Sequence, residues 1–197
     1  MRNSTRASGA LIAAVAFAAV SATANAQPVM IEGVAFQPTA QVSGQVLALN
    51  GAGLRTRAFF KVYAAGLYVP AKSHSAAALL AQKGPRLVAL AMLRDVDADS
   101  MFDALAKGLH ANHTEQQLTG LAPQIAMLQA NLRAMGDARE GNLIRFEFTP
   151  EAGTRLVVDG QQKGTAIPGD AFFTAVLRNW IGDAPVDADL KRALVGL

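Results

Sequence analysis

The sequence predicts an α+β fold in which an antiparallel sheet carries helices on one face. Residues 29–70 and 85–93 consist of short apolar or alternating runs with glycines between them, as expected for antiparallel strands with turns and bulges. From residue 97 to residue 132 apolar side chains recur at helical spacing, and alternation then returns after residue 141. The order of strands, helices, strands and a final helix predicts one sheet under a helical layer.

The first strands are predicted in "VMIEGVAF", "GQVLALNG" and "AFFKVYAAGLYV". A short helix follows in residues 73–83, with Ser73 or Ser75 as its N-cap. The run "PRLVALAML" is then predicted to be a further buried strand. Turns or bulges are expected at Gly44, Gly51 and Gly53.

Two amphipathic helices are predicted next. Asp97 or Asp99 is expected to cap the first, and Thr114 with Gln117 resembles a capping box for the second. Pro123 predicts a kink or a short break in the second helix. The apolar stripes consist of Met101, Phe102, Leu105 and Leu109 in the first helix and Leu118, Leu121, Ile125, Leu128 and Leu132 in the second.

The last third of the chain returns to strands before it ends in helices. "GNLIRFEFTP" and "TRLVVDGQQKGTAI" alternate, and Asp159-Gly160 is typical of a two-residue hairpin turn. A helix is predicted in residues 170–182, stopped by Gly182, and a last one in "DADLKRALVG".

Residues 1–26 are predicted to be a signal peptide. Arg2 and Arg6 give a positive start, residues 10–22 are a short apolar core, and "ANA" offers small residues before a cleavage site after Ala26. The apolar run is too short for a comfortable membrane span, so an uncleaved anchor is the less favoured alternative. We expect export to a bacterial periplasm, no stable membrane anchor after cleavage, and one domain in residues 27–197.

Composition and charge argue against a disulfide-stabilised fold and against a nucleic-acid-binding protein. The chain has no cysteine and therefore no disulfide, so its core must stabilise the fold. The formal net charge is +3, and two of the arginines lie in the predicted signal peptide, which leaves the mature chain near neutral. This charge does not predict binding to nucleic acid. The oligomeric state stays open.

No standard catalytic signature is present. The sequence has neither a phosphate-binding loop nor G-x-S-x-G, and "GAGLR" lacks the third glycine of a dinucleotide fingerprint. His110 and His113 stand at a predicted helix end, where two exposed histidines are the simpler interpretation than a metal site. We therefore predict no cofactor and no metal.

The stretch "LNGAGLRTRAFFKVYAAGLYVP" carries Arg55, Arg57, Lys61 and Tyr63 within an apolar hairpin. Because a guanidinium is always charged and presents a planar fork, Arg55 beside two glycines would suit a carboxylate or an enolate-like oxygen in a pocket. Strand alternation places Phe59, Lys61 and Tyr63 on one face. From spacing alone, cations lining a solvated face or an edge strand are the favoured interpretation.

Three blocks resemble a known family. "GAGLR", "FFKVYAAGLYVP" and "DAFFTAVLRNWIGDAPVDADLK" are similar to the chalcone isomerase-like superfamily, specifically its bacterial exported branch. The similarity runs from about Val29 to the C-terminus. It implies an open-faced β-sandwich, in which a large antiparallel sheet lies under helices with a ligand cleft between them.

The resemblance also implies roles for single residues. Arg55 matches the family arginine that binds the reactive oxygen of a flavonoid, or the carboxylate in fatty-acid-binding relatives. Tyr63 falls where the enzymes have a catalytic threonine, and Thr174 is the counterpart of a later hydroxyl, offset in register. The enzymes' catalytic tyrosine would fall in residues 95–102, which contain no tyrosine.

These matches predict a non-catalytic periplasmic protein that binds a small amphiphilic ligand, such as a fatty acid, through Arg55, Tyr63 and Thr174. One alternative is a chalcone isomerase-type enzyme that uses Arg55 and Tyr63. The other is a structural domain with a closed cleft, whose partner surface would include Phe172, Phe173 and Trp180, although helical spacing favours a core position for Phe173 and Trp180.

The binding hypothesis makes a geometric prediction. Arg55 should lie at a pocket between sheet and helices, a few ångströms or one water bridge from the Tyr63 hydroxyl, because an unpaired buried charge is costly. Arg57 and Lys61 should point to solvent. The apolar walls are expected to come from Phe60 or Val62, Leu105 and Ile125.

Overall fold

The structure is a computed structural model that describes residues 27–197; the predicted signal peptide lies outside the described residues. Nine strands and six helices are found there. The strands are β1 Val29–Ile31, β2 Val34–Phe36, β3 Thr39–Val42, β4 Gln45–Arg57, β5 Phe60–Val69, β6 Arg86–Met92, β7 Leu143–Thr149, β8 Gly153–Val158 and β9 Gln161–Ile167. The helices are α1 Ala76–Ala81, α2 Ala98–Asn112, α3 Glu115–Gly120, α4 Ala122–Met135, α5 Asp170–Ile181 and α6 Ala188–Leu194.

Strands β3 to β9 form one seven-stranded sheet in sequence order, and every neighbouring pair is antiparallel. Strands β1 and β2 form a separate hairpin. Helix α1 lies between β5 and β6, helices α2 to α4 lie between β6 and β7, and α5 and α6 follow β9. The predicted α+β class, with a large antiparallel sheet and a layer of helices, is confirmed.

The larger core lies between the sheet and the helices. Phe146 and Phe148 from β7 pack there with Phe173 and Trp180 from α5. Phe172, Phe173 and Trp180 are all buried, so the partner surface considered for them is wrong, and the expected core position is confirmed.

A smaller core lies on the opposite face of the sheet. The β1–β2 hairpin covers part of that face, where Phe36 packs with Tyr68 of β5 and Leu87 of β6. The buried surfaces of β5 and β6 on both faces explain why these strands are almost continuously apolar.

The capping residues predicted from the sequence lie at the starts of α1, α2 and α3. The side chains of Ser75 and Asp97 accept backbone hydrogen bonds at the starts of α1 and α2. Thr114 and Gln117 form the predicted capping box of α3. The break predicted at Pro123 is also confirmed, since α3 ends at Gly120 and α4 begins at Ala122.

Two of the glycines at which turns or bulges are expected lie inside β4. Gly51 follows a bulge-like register shift after Leu49, which agrees with the expectation, whereas Gly53 lies in regular pairing with β5. A Cβ atom at Gly51 would overlap the carbonyl oxygen of Ala193, and one at Gly53 would lie 2.6 Å from the Ala193 Cβ atom. The missing side chains therefore allow α6 to pack directly on the backbone of β4.

Among residues 27–197, no helix combines the length and the apolar character needed to cross a bilayer.

Candidate functional site

Arg55 and Tyr63 are direct partners across β4 and β5, with a register shift immediately after Arg55. Directly opposed residues in an antiparallel pair project from the same face of the sheet. Tyr63 packs against the core under the helices, so both side chains belong to the helix-covered face. Because alternate strand residues share a face, Gly51, Gly53 and Arg55 form one row beneath α6.

A small cavity, here called the inner cavity, lies beside Tyr63. Its volume is about 50 Å³, and it is lined by Tyr63, Leu90, Met101, Ala104, Leu105, Phe146, Trp180 and Val186. The indole N–H of Trp180 donates a 3.0 Å hydrogen bond to the Tyr63 hydroxyl oxygen at this wall. The Tyr63 hydroxyl and the Trp180 N–H are therefore polar groups in an otherwise apolar wall.

Burial raises the pKa of Tyr63 to about 12, against the opposing effects of the Trp180 hydrogen bond and the Arg55 charge. The phenol is therefore neutral at neutral pH. A neutral hydroxyl that accepts from Trp180 keeps its own proton as a donor for a second group.

Arg55 is held by Asp187, the N-cap of α6. Its Nη1 lies 3.2 Å from Asp187 Oδ2, and the backbone N–H of Thr56 donates to the same oxygen at 3.2 Å. Arg55 Nη1 also donates to the carbonyl oxygen of Thr56. The other carboxylate oxygen of Asp187 accepts from the backbone N–H groups of Asp189 and Leu190.

Both charged groups are mostly shielded, because the side chains of Arg55 and Asp187 are 20% and 15% exposed. Partial burial acts to raise the pKa of Asp187, but the N–H donors of Leu190 and Thr56 and the charge of Arg55 outweigh it. The pKa of Asp187 consequently lies below its ordinary value. Asp187 is ionised at neutral pH, so Arg55 already holds a carboxylate.

The structure confirms part of the predicted surroundings. Arg57 is exposed, and the Lys61 side chain is 56% exposed, with its ammonium group 2.6 Å from the Glu32 carboxylate. Leu105 lines the inner cavity as predicted.

Three predicted wall residues do not line the inner cavity. Phe60 is 60% exposed next to the hairpin turn, and Phe59 lies in that turn and not on a strand face. Val62 stands at the register shift that separates Lys61 from Tyr63 in their pairing with β4. Ile125 packs against the larger core and beside Leu109 and Leu118, outside the cavity lining.

Thr174 is not brought to Arg55 and Tyr63. It lines a second cavity of about 360 Å³ between α1 and α5, here called the α1–α5 groove. The other lining residues are Ala76, Ala77, Leu80, Ala81, Arg178, Ile181 and Asp183. The Thr174 hydroxyl accepts a 3.3 Å hydrogen bond from Arg86 Nη1.

Arg86 is the charged residue that sequence reasoning missed. Its side chain is fully buried at the start of β6, where the guanidinium pairs with Asp170 and lies 4.8 Å and 5.0 Å from the ring centroids of Phe148 and Phe173. Burial lowers the pKa of Arg86, while the charge of Asp170 opposes the shift. The sequence offered two indications of this pair. Arg86 is the one cation in the apolar strand "PRLVALAML", and Asp170 is an acid at the start of the predicted helix in residues 170–182.

The profile of the family described as "Chalcone isomerase-like" matches residues 28–196. The chain belongs to the chalcone isomerase-like family. Among solved structures, a fatty-acid binding protein from Arabidopsis thaliana is similar in fold, with a TM-score of 0.67 and 13% identity over 86% of this chain and 96% of that chain. No curated protein sequence matches this chain.

The arrangement in this chalcone isomerase-like protein suits binding of an anion beside an apolar group. A permanently charged guanidinium and a neutral phenol stand on one face of two paired strands. The inner cavity offers apolar contacts next to the phenol. Tyr63 is not suited to act as a base at neutral pH, since burial raises its pKa and keeps the phenol protonated.

Proposed function

We propose that this protein binds a small amphiphilic carboxylate, of the fatty-acid class, and does not catalyse a reaction. Arg55 would hold the carboxylate, Tyr63 would donate a hydrogen bond to it, and the apolar part would occupy an enlarged inner cavity. In line with its signal-like start, we propose that it acts in the periplasm. The fatty-acid binding protein of similar fold supports the ligand class by analogy.

The observation that carries the proposal is the Arg55–Asp187 pair. Asp187 shows that a carboxylate fits against Arg55 and the Thr56 N–H at this position. A ligand carboxylate of the same geometry would form the same charge-assisted contacts. Asp187 therefore acts as an internal competitor for the ligand.

The size of the inner cavity requires that the ligand open it. A volume of about 50 Å³ is far below the roughly 300 Å³ or more of typical ligand pockets. Val186 lines the cavity and directly precedes Asp187. Displacement of Asp187 from Arg55 would also move Val186 out of the cavity wall. Replacement of the Asp187 carboxylate by the ligand carboxylate would therefore open the inner cavity at the same time.

A closed structural domain is the second candidate, and the small volume of the inner cavity favours it. A domain of this kind would use the Arg55–Asp187 pair only to hold α6 in place. Binding measurements distinguish the two candidates directly, because the structural domain has no affinity for amphiphiles.

The test is titration of the protein with octanoate, dodecanoate and hexadecanoate, followed by calorimetry and native mass spectrometry. Wild-type protein should bind at least one of them with a stoichiometry of one. Arg55→Gln should weaken binding by about tenfold to a hundredfold, the value of a hydrogen bond to a charged group. Arg57→Gln removes an equal charge from an exposed site and should bind like wild type.

Three results would contradict the proposal. Absence of binding to all three acids would leave the structural domain as the better candidate. Equal binding of hexadecanol and hexadecanoate would exclude a role for Arg55 as the carboxylate site. Consumption of a hydroxychalcone above the background rate, lost in Arg55→Gln, would indicate the isomerase activity of the family instead.

A further inference from the structure

The turn between β4 and β5 exposes two phenylalanines. Arg57 pairs with Phe60, so Ala58 and Phe59 form a two-residue connection. Phe59 is 97% exposed and Phe60 is 60% exposed. Scattered apolar residues on a surface are ordinary, whereas two adjacent large aromatic side chains on a protruding turn point to a partner.

The fold itself does not require Phe59. Three other hairpin turns in residues 27–197 have a glycine at this second position, as Glu32-Gly33, Ser43-Gly44 and Asp159-Gly160. In the β4–β5 turn Ala58 takes a positive φ of 54°, which is unfavourable for alanine. Phe59 does not have the positive φ of the glycines at the corresponding position, so this turn differs in its second residue, which carries an exposed aromatic ring.

Cationic residues stand close to this turn. Arg57 and Lys61 flank the turn in sequence, and the Arg94 guanidinium lies 4.8 Å from the Phe60 ring centroid. The Glu32 carboxylate contacts Lys61 and offsets one of these charges. The turn thus presents an apolar tip within a net positive rim.

We propose that the β4–β5 turn docks reversibly on a lipid bilayer with anionic headgroups. Phe59 and Phe60 would enter the boundary between headgroups and acyl chains, while Arg57, Lys61 and Arg94 contact lipid phosphates. Aromatic rings favour this boundary, and basic side chains beside an apolar element strengthen attraction to anionic lipids. The contact is peripheral and is independent of the fatty-acid proposal.

A bilayer suits this surface better than a protein partner does. Stable protein interfaces bury on the order of 800 Å² on each side and need a matching shape. A two-residue turn is narrow and convex, and it offers two rings with a positive surround. A soft, negatively charged surface accepts such a tip without a preformed pocket.

The test uses the protein beginning at residue 27, which carries every element of the described fold, in flotation with vesicles. One set contains phosphatidylglycerol and phosphatidylethanolamine, and the other contains phosphatidylcholine alone. Wild type should float with the anionic vesicles and bind the neutral ones at least about fivefold more weakly. Phe59→Ala with Phe60→Ala should reduce binding to anionic vesicles by roughly tenfold.

Matched variants separate the tip from general surface effects. Val46→Ala removes an exposed apolar side chain from the other end of β4 and should leave flotation unchanged. Arg57→Gln with Lys61→Gln should weaken binding by roughly tenfold and reduce its salt dependence, whereas Lys72→Gln with Arg192→Gln should act weakly. Circular dichroism melts of all variants establish that they fold.

The proposal is wrong if wild type does not float with anionic vesicles, or if the phenylalanine pair can be replaced without loss. Capture of a protein through the same two phenylalanines, without flotation, would assign the turn to a protein partner and overturn the lipid assignment. Flotation that persists in Phe59→Ala with Phe60→Ala but depends on Lys72 and Arg192 would place the lipid contact elsewhere.

Discussion

The indole N–H of Trp180 donates a hydrogen bond of 3.0 Å to the hydroxyl oxygen of Tyr63, and this contact joins α5 to β5 at the wall of the inner cavity. Trp180 is buried, and the centroids of its ring and the Phe146 ring are 5.8 Å apart. At this wall a polar contact thus links β5 to α5 among apolar neighbours.

Replacement of Tyr63 by phenylalanine should destabilise the protein. The change removes the acceptor and leaves the buried Trp180 N–H without its partner, which costs about 1–3 kcal/mol in the free energy of unfolding. Urea unfolding followed by circular dichroism measures the effect. Tyr68→Phe removes a hydroxyl on the opposite face of the sheet and is the control. A Tyr63→Phe variant as stable as wild type would show that the Trp180 contact does not contribute to the fold.

Asp187 should contribute a pH-dependent part of the stability. Its pKa in the folded protein lies below its pKa in the unfolded chain, which is about 4. Its charge therefore makes its full contribution to stability at pH values above the unfolded pKa. This contribution is lost as the pH falls through the folded pKa. We expect the stability difference between wild type and Asp187→Asn to be constant from about pH 8 to pH 5 and to shrink below about pH 4.

Asparagine is a suitable control residue for that experiment because it also caps helices, so the difference isolates the charge. Asp103→Asn, at an exposed position of α2, should leave the acid dependence of wild type intact. A stability difference for Asp187→Asn that does not change with pH would contradict the assigned pair.

The two cations on Asp170 should differ in their effects on stability. Arg86 is fully buried, whereas the Lys83 side chain is 79% exposed. Asp170→Ala leaves a buried guanidinium without its carboxylate and should cost about 2 kcal/mol, less than for a fully buried pair because Asp170 is partly exposed. Lys83→Gln should cost no more than about 0.5 kcal/mol. Equal costs in thermal unfolding would show that burial of Arg86 is unimportant.

Gly53→Ala should destabilise the protein through α6. The added methyl group would press on Ala193 and Leu190, and overpacking of this kind costs about 1–3 kcal/mol. Gly120→Ala is the matched control, since an added Cβ meets no atom within 4 Å there and alanine favours a helix. Chemical unfolding that ranks Gly120→Ala as the more damaging change would contradict close packing of α6 on β4.

Much of the fold was predictable because its signals are local. The capping side chains of Ser75, Asp97 and Thr114, the break at Pro123 and the turn at Asp159 each act within a few residues. Alternation and helical spacing then separated strands from helices. The covering of the second face by the β1–β2 hairpin has no such local signal.

The candidate site was only partly predictable, since its partners come from distant parts of the chain. The sequence indicated Arg55 and Tyr63, but nothing near them shows that Asp187 would occupy the guanidinium. Gly51 and Gly53 predicted turns or bulges, and their neighbours in sequence do not indicate that a helix packs against them. The helix that approaches them lies at the other end of the sequence.

The last helix therefore has the attributes of a unit that can unfold locally while the sheet stays intact. It is short, and besides its buried Leu190 and Leu194 its position depends on close packing at Gly51 and Gly53 of β4 and on the Asp187 cap. A 2.7 Å hydrogen bond from the Asn50 side-chain amide to the Leu194 carbonyl oxygen also holds it. Amide hydrogens of α6 should exchange with deuterium earlier than those of β5 and β6. A ligand carboxylate that displaces Asp187 would accelerate deuterium exchange in α6. Binding of the ligand would therefore be detected first in the amides of the last helix.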